Sequence, residues 1–158
     1  MSINIQKSQN KKDFAMAANL MAYSEPWITL GMNEIECLKA FEGDFKEVYV
    51  IYVDENFAGF IILQTQGSFK GYIQTICIHP SFRGQGLGTK LINHCEKIIV
   101  TYSPNIFICV SSFNQKAYQL YTSLGFEKVG ELPNFVKQGF TEILLRKTKG
   151  PLVGYTPQ

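Results

Sequence analysis

Three glycines occupy alternate positions in the stretch Arg83-Gly84-Gln85-Gly86-Leu87-Gly88. An apolar run at 73–78 precedes it, and a segment of helical periodicity at 89–100 follows. A strand-to-helix turn stripped of side chains lets backbone N–H groups converge on one point, at the end of a helix whose dipole favours an anion. Holding a phosphate or pyrophosphate is the chemistry that suits such a turn; a purely structural turn is the plain alternative. Two familiar phosphate loops do not fit. One requires lysine directly after its last glycine, and Gly88 is followed by Thr89. The other, G-x-G-x-x-G begun at Gly84, needs a glycine where Thr89 stands. It also needs an acid about 20 residues on, and no Asp or Glu occurs between Glu96 and Glu127.

Asn114 and Tyr121 stand seven positions apart on one helical stretch. Asparagine is a good helix N-cap. A phenol, ordinarily of pKa near 10, keeps its proton at neutral pH. An inward aromatic at helical spacing serves as core. Cys37, Cys77, Cys95 and Cys109 form no C-x-x-C pair, and neither His79 nor His94 stands in a clustered ligand set. They read as reduced, structural thiols in a cytoplasmic protein, with no metal site.

The elements that must position these residues follow from periodicity. Strands are expected at 2–7, 47–53, 57–66, 72–79, 105–111, 126–132 and 139–147, from alternating or continuous apolar runs bounded by turn residues. Helices are expected at 11–23, 33–41, 89–100 and 114–124. Ile35, Leu38 and Phe41 form the apolar stripe of the second and Ala117, Leu120, Tyr121 and Leu124 that of the last. Residues 24–32, holding Pro26, Trp27 and Gly31, read as a loop. The order implies one α/β domain with a mixed sheet, since the hairpins are antiparallel and the helical crossovers permit parallel pairing.

At 158 residues the chain is long enough for one sizeable core. A formal net charge of +2 is too small to argue for nucleic acid or an anionic membrane, and neither is expected as a partner. Residues 1–12 are polar and lack the apolar core of a secretory leader, and no apolar run reaches the roughly 18 residues of a membrane span.

Arg83, Gly86 and Gly88 also satisfy the pattern [RQ]-x-x-G-x-G. The chain here resembles the GNAT superfamily of N-acetyltransferases, which hold the pyrophosphate of acetyl-coenzyme A on that turn. Thr75-Ile76-Cys77-Ile78-His79-Pro80 is similar to the strand before it. Residues 114–126 are similar to a second signature, N-x-x-A-x-x-[LF]-Y-x-x-x-G-F. The likeness covers roughly 3–147. It implies a GNAT-like mixed, splayed central β-sheet flanked by helices in a single domain, 1–149, with an irregular tail at 150–158.

The resemblance also implies roles. The pyrophosphate would lie on the backbone of Gly84, Gln85, Gly86, Leu87, Gly88 and Thr89, with Arg83 in the motif. The pantetheine arm would pair with Ile76, Cys77 and Ile78, where the sheet splays from the strand at 105–111. Asn114 would reach that arm. The Ile76 N–H would steady the oxyanion, and Tyr121 would protonate the departing sulfur, giving coenzyme A as product. The family's basic glutamates are absent, with Cys109 and Tyr72 at the matching positions. A water relay, Tyr72, or an acid among Glu25, Glu34 and Glu36 is left to take the amine proton. The acceptor pocket is expected at Glu25, Trp27, Tyr72, Gln74 and Asn134. The acceptor is a primary amine, either a peptide or protein amino terminus or a small molecule, and the protein acts as a monomer or homodimer. A non-catalytic acetyl-coenzyme A-binding module of the same fold is the alternative.

Overall fold

The computed structural model describes residues 1–157. Its strands are β1 (Ile3–Ser8), β2 (Lys46–Val53), β3 (Asn56–Gln64), β4 (Tyr72–Ile78), β5 (Asn105–Ser111), β6 (Glu127–Pro133) and β7 (Thr141–Thr148). Its helices are α1 (Lys11–Ala22), α2 (Trp27–Leu30), α3 (Glu34–Leu38), α4 (Leu87–Ile99) and α5 (Gln115–Ser123). The strands form one open sheet in the order β1-β2-β3-β4-β5-β7-β6, and only β4 and β5 run parallel. From Gly150 to Pro157 there is no helix or strand; Gln158, the last residue of the expected tail, lies outside the described residues.

Helices cover both faces of this sheet, which explains the near-continuous apolar runs of β2 and β3. Successive side chains of a strand point to opposite faces. Ile51, Ile61 and Leu63 therefore pack with Leu91, Ile92, Cys95 and Ile99 of α4. Their neighbours Val50, Phe60 and Ile62 pack with Ala17, Ala18 and Met21 of α1 and Cys37 of α3. A fully buried side chain of this size contributes about 1.5–3 kcal/mol, so these two layers carry most of the fold. The β2–β3 turn is tight, with Asp54 and Glu55 both at positive φ (48° and 69°), as a two-residue hairpin requires.

Three expectations need correction. Residues 24–32 are not all loop: Trp27–Leu30 makes one helical turn, ended by Gly31 at φ 70°. The helix expected at 33–41 is helical only to Leu38 and then tightens to a 3-10 turn at Lys39–Phe41. Its stripe differs accordingly, because Ile35 and Leu38 are 74% and 43% exposed and Cys37 meets α1 instead. The third helix begins at Leu87, two residues before the expected 89, because Gly86 serves as its N-cap.

Two irregularities position the site. β4 and β5 pair at only two positions, Tyr72 with Phe107 and Ile73 with Ile108, and then separate. Gly71 makes this junction possible: a Cβ there would stand 2.4 Å from the Asn105 carbonyl oxygen, and the Phe107 N–H donates to the Gly71 carbonyl at 3.0 Å. The second irregularity is a β-bulge. Leu63 pairs with Ile73 but Ile62 pairs with Thr75, leaving Gln74 over. The extra residue reverses the alternation, so Ile73 packs under α4 while Cys77 packs on the α1 face.

Candidate active site

The separation of β4 from β5 opens a cleft of about 1160 Å³. Its first wall is β4 itself. The His79 N–H donates to the Ala58 carbonyl at 2.7 Å, which makes those two residues a hydrogen-bonded pair. Hydrogen bonding alternates along an antiparallel ladder. By the register of β3 and β4, Cys77 and Thr75 bond to β3, whereas Ile76 and Ile78 turn their N–H and C=O groups toward the cleft. The Ile78 carbonyl accepts from Arg83 Nε at 2.9 Å.

The glycine turn closes one end. Gly84 and Gly86 have φ of 75° and 79°, and a Cβ at either would meet nothing within 4 Å. Backbone conformation, not space, therefore demands glycine, and the room beside the turn is open. Gly86 brings no side-chain cap to α4. The first bond of that helix runs from the Lys90 N–H to the Gly86 carbonyl, so the N–H groups of Leu87, Gly88 and Thr89 have no acceptor within the helix. Amides without a helical acceptor, around an open hollow at a helix N-terminus, fit a pyrophosphate. Although exposed, the Arg83 side chain folds back on the protein, donating to the Ile78 carbonyl and to Ser24 Oγ at 3.1 Å. It braces the turn against the end of β4 and the segment after α1.

Across the cleft, Asn114 caps α5 through Oδ1, which accepts from the Ala117 N–H at 3.4 Å, and it also lines the cleft. One helical face on, Tyr121 is 7% exposed and meets Phe126 edge-on at 6.3 Å. Burial above all, then the Cys77 thiol, holds its phenol well above the ordinary value. Tyr121 thus holds its proton more tightly than a free phenol does. The Cys77 thiol is itself pushed up by burial and partly drawn back by Ser24 and Arg83.

The remaining wall is assembled from distant segments. Of the residues expected there, Glu25, Trp27, Tyr72 and Gln74 line the cleft, and Asn134 does not. Asn134 sits at φ 57° and its Oδ1 accepts from the Gly139 N–H at 2.7 Å, so it shapes the β6–β7 turn while Phe135 and Val136 reach the cleft. Gln74 is committed to the Ala40 carbonyl at 3.0 Å and to Gln64 at 2.9 Å. The Glu25 carboxylate accepts from the Thr29 N–H and hydroxyl. Glu34 bonds Asn19 and Glu36 closes a capping box with Asn33; neither borders the cleft. Lys137 Nζ donates to the Leu30 carbonyl at 2.6 Å, linking the β6–β7 turn to α2 across the mouth.

Sequence reasoning missed Glu142. It lies on β7, is 6% exposed, borders the cleft and accepts from Ser111 Oγ at 2.7 Å. Burial raises its carboxyl above the usual range, and the Ser111 hydrogen bond opposes that rise. Beside it, burial and then the neighbouring Cys109 thiol raise the Tyr72 phenol. The available signal was a lone carboxylate beginning an apolar run, Glu142-Ile143-Leu144-Leu145, since an unpaired acid is rarely buried. Among the described residues no group of three or more His, Cys, Asp or Glu could hold a metal ion, and no helix is long and apolar enough to cross a membrane.

Comparison with known proteins bears on the family and the fold. Residues 13–126 match the model of the acetyltransferase (GNAT) family. A thialysine N-epsilon-acetyltransferase of Mus musculus is 30% identical over 80 residues, half of this chain and 47% of that protein. An N-alpha-acetyltransferase of Sulfurisphaera tokodaii is 27% identical over 118 residues, covering 66% of this chain and 69% of that one. The chain spans less than half the length of the mouse relative, and only 28% of an uncharacterized Mycobacterium leprae protein that is 30% identical over 103 residues. The fold superposes on an aminoglycoside 6'-N-acetyltransferase complexed with coenzyme A with a TM-score of 0.72 at 18% identity, covering 96% of this chain and 98% of that one.

Proposed function

The chain belongs to the GNAT acetyltransferase family, and from that premise we propose that it moves the acetyl group of acetyl-coenzyme A onto a primary amine by direct attack on the thioester. One observation carries the reading. An outward-facing stretch of β4 and a buried, protonated Tyr121 line the same cleft, with an amide-rich glycine turn at its end.

Acetyl-coenzyme A supplies an activated acyl carbon and a thiolate leaving group. The chain's residues do the rest. The amides from Gly84 to Thr89 hold the anionic end, and Asn114 and the free edge of Ile76 to Ile78 align the arm. The Ile76 N–H faces the place where charge collects on the carbonyl oxygen, a donor fixed before the reaction begins. Tyr121 Oη gives its proton to sulfur as the C–S bond breaks. A thiolate of ordinary pKa about 8.5 is a weaker base than a phenolate, but the burial that tightens the phenol's hold on its proton also makes a thiolate formed beside it more basic, which narrows the gap between them.

The relatives' printed acceptors, a thialysine side chain, an α-amino group and an aminoglycoside, all offer an amine. This chain's acceptor is of the same kind, a peptide amino terminus or a small amine. Four cysteines without a disulfide suit a reducing compartment, the cytoplasm. Free thiol released from acetyl-coenzyme A over a panel of peptides and amines tests the reading. Acceptor-dependent release is expected. Tight coenzyme A binding with no release for any amine would overturn catalysis and leave a binding module.

A further inference from the structure

We infer that Glu142 is the group that takes the proton from the acceptor amine, its carboxylate oriented by Ser111 and given room by Cys109. This rests on the acetyltransferase reading above. β5 and β7 pair with Ser111 opposite Glu142 and Cys109 opposite Leu144. Alternation puts Cys109, Ser111, Glu142 and Leu144 on one face of the sheet, away from Ile108, Val110, Ile143 and Leu145, which pack with the α4 layer. β4 and β5 diverge beyond Ile73 and Ile108, and Ser111 and Glu142 both border the cleft that opens there. Oε2 is held by Ser111, and Oε1 accepts no hydrogen bond among the described residues.

Elimination supports the assignment. Glu25 and Glu142 are the carboxylates that border the cleft among the described residues. Glu25 is engaged by Thr29 at the surface, and Glu34 and Glu36 stand elsewhere. The Tyr72, Tyr121, Cys77 and Cys109 protons are all held more tightly than usual. The titratable groups that face Glu142 are Tyr72 from β4 and Cys109 from β5, and no cation is paired with it among the described residues. The small Cys109 side chain leaves space diagonal to Glu142, at the usual same-face separation of about 7–8 Å. A base works best with a pKa near the operating pH, and burial moves Glu142 in that direction.

The step balances. An alkylammonium first gives one proton to Glu142 Oε1, which passes it to solvent; the neutral nitrogen then bonds to the acyl carbon and its second proton follows to Oε1, directly or through one water. The C–S bond breaks, and Tyr121 Oη gives a proton to sulfur. The tyrosinate then recovers a proton from the neutral Glu142 through cleft water, and both groups return to their starting states.

The test compares wild type, Glu142→Gln and Ser111→Ala. With an alkylamine at pH 7, Glu142→Gln is expected to lose about 100-fold in kcat/KM and to lose the acidic limb of the pH profile. With an alkoxyamine, neutral at pH 7 without help, the loss shrinks to a few fold. Ser111→Ala is expected to move the acidic limb to higher pH, because its hydroxyl favours the charged carboxylate. In the donor-free protein, the carboxyl carbon resonance of one glutamate should titrate above the rest, vanish in Glu142→Gln and shift upward in Ser111→Ala.

Stability separates catalysis from scaffolding. A carboxyl raised in the native state contributes most below its unfolded pKa, and that contribution is lost as pH rises through the folded value. Glu142→Gln should therefore melt no lower than wild type at pH 8, where a merely structural Glu142 would make it melt lower. An unchanged pH profile in Glu142→Gln, with wild type active, overturns the inference alone. Wild type inactive on every amine overturns the acetyltransferase reading with it.

Discussion

The two walls of the cleft are built in opposite ways. The donor wall uses backbone: the amides of Gly84 to Thr89, and the edge of Ile76 to Ile78. Its parts are contiguous in sequence. The acceptor wall uses side chains from five separate segments: Trp27, Tyr72, Cys109, Phe135 and Glu142. On the proposed reading, one wall fits the coenzyme and so fixes conformation; the other fits the amine acceptor and so fixes the surfaces presented. A backbone wall tolerates changes of side chain but not of φ, and a side-chain wall does the reverse.

This contrast can be broken by experiment. The largest effect is expected where the walls meet. Tyr121→Phe removes a proton donor and little volume, so turnover should fall about 100-fold while calorimetric affinity for acetyl-coenzyme A stays within twofold. Unchanged turnover would return Tyr121 to the core. Next comes Gly86→Val. A β-branched residue at φ 79° carries strain of about 1–2 kcal/mol, so donor affinity should weaken about tenfold for every acceptor alike. Selectivity among acceptors that changes with Gly86→Val would show that the walls are not independent. The smallest effect is expected from Trp27→Ala, several-fold in acceptor KM with donor affinity untouched. A matching loss of donor affinity in the same titration would also erase the distinction.

Sequence exposed these walls unequally for the same reason. Arg83 to Gly88 and Asn114 to Phe126 are legible because φ requirements and helical spacing are local. The order of elements was legible too, since the turns at Asp54 and Gly71 bound strong apolar runs. The bulge at Gln74 was not, because an extra residue in a ladder exists only relative to its partner strand. Glu142 was not, because its place depends on pairing across 31 residues with Ser111. Ile35 and Leu38 misled because helical spacing was extended through a segment that tightens at Lys39. Asn134 misled because a polar loop residue next to a pocket can satisfy the loop itself, as its bond to Gly139 does.

The two-rung junction of β4 and β5 has a consequence for association between molecules. A sheet normally leaves unpaired edges only at its rims, here β1 and β6, and such rims are where foreign strands add and aggregates begin. The divergence after Ile73 and Ile108 creates two further edges that face each other inside the molecule. The protein thus keeps stretches of two strand edges in the middle of its sheet, bordered by the walls of its own cleft and not by a rim of the molecule.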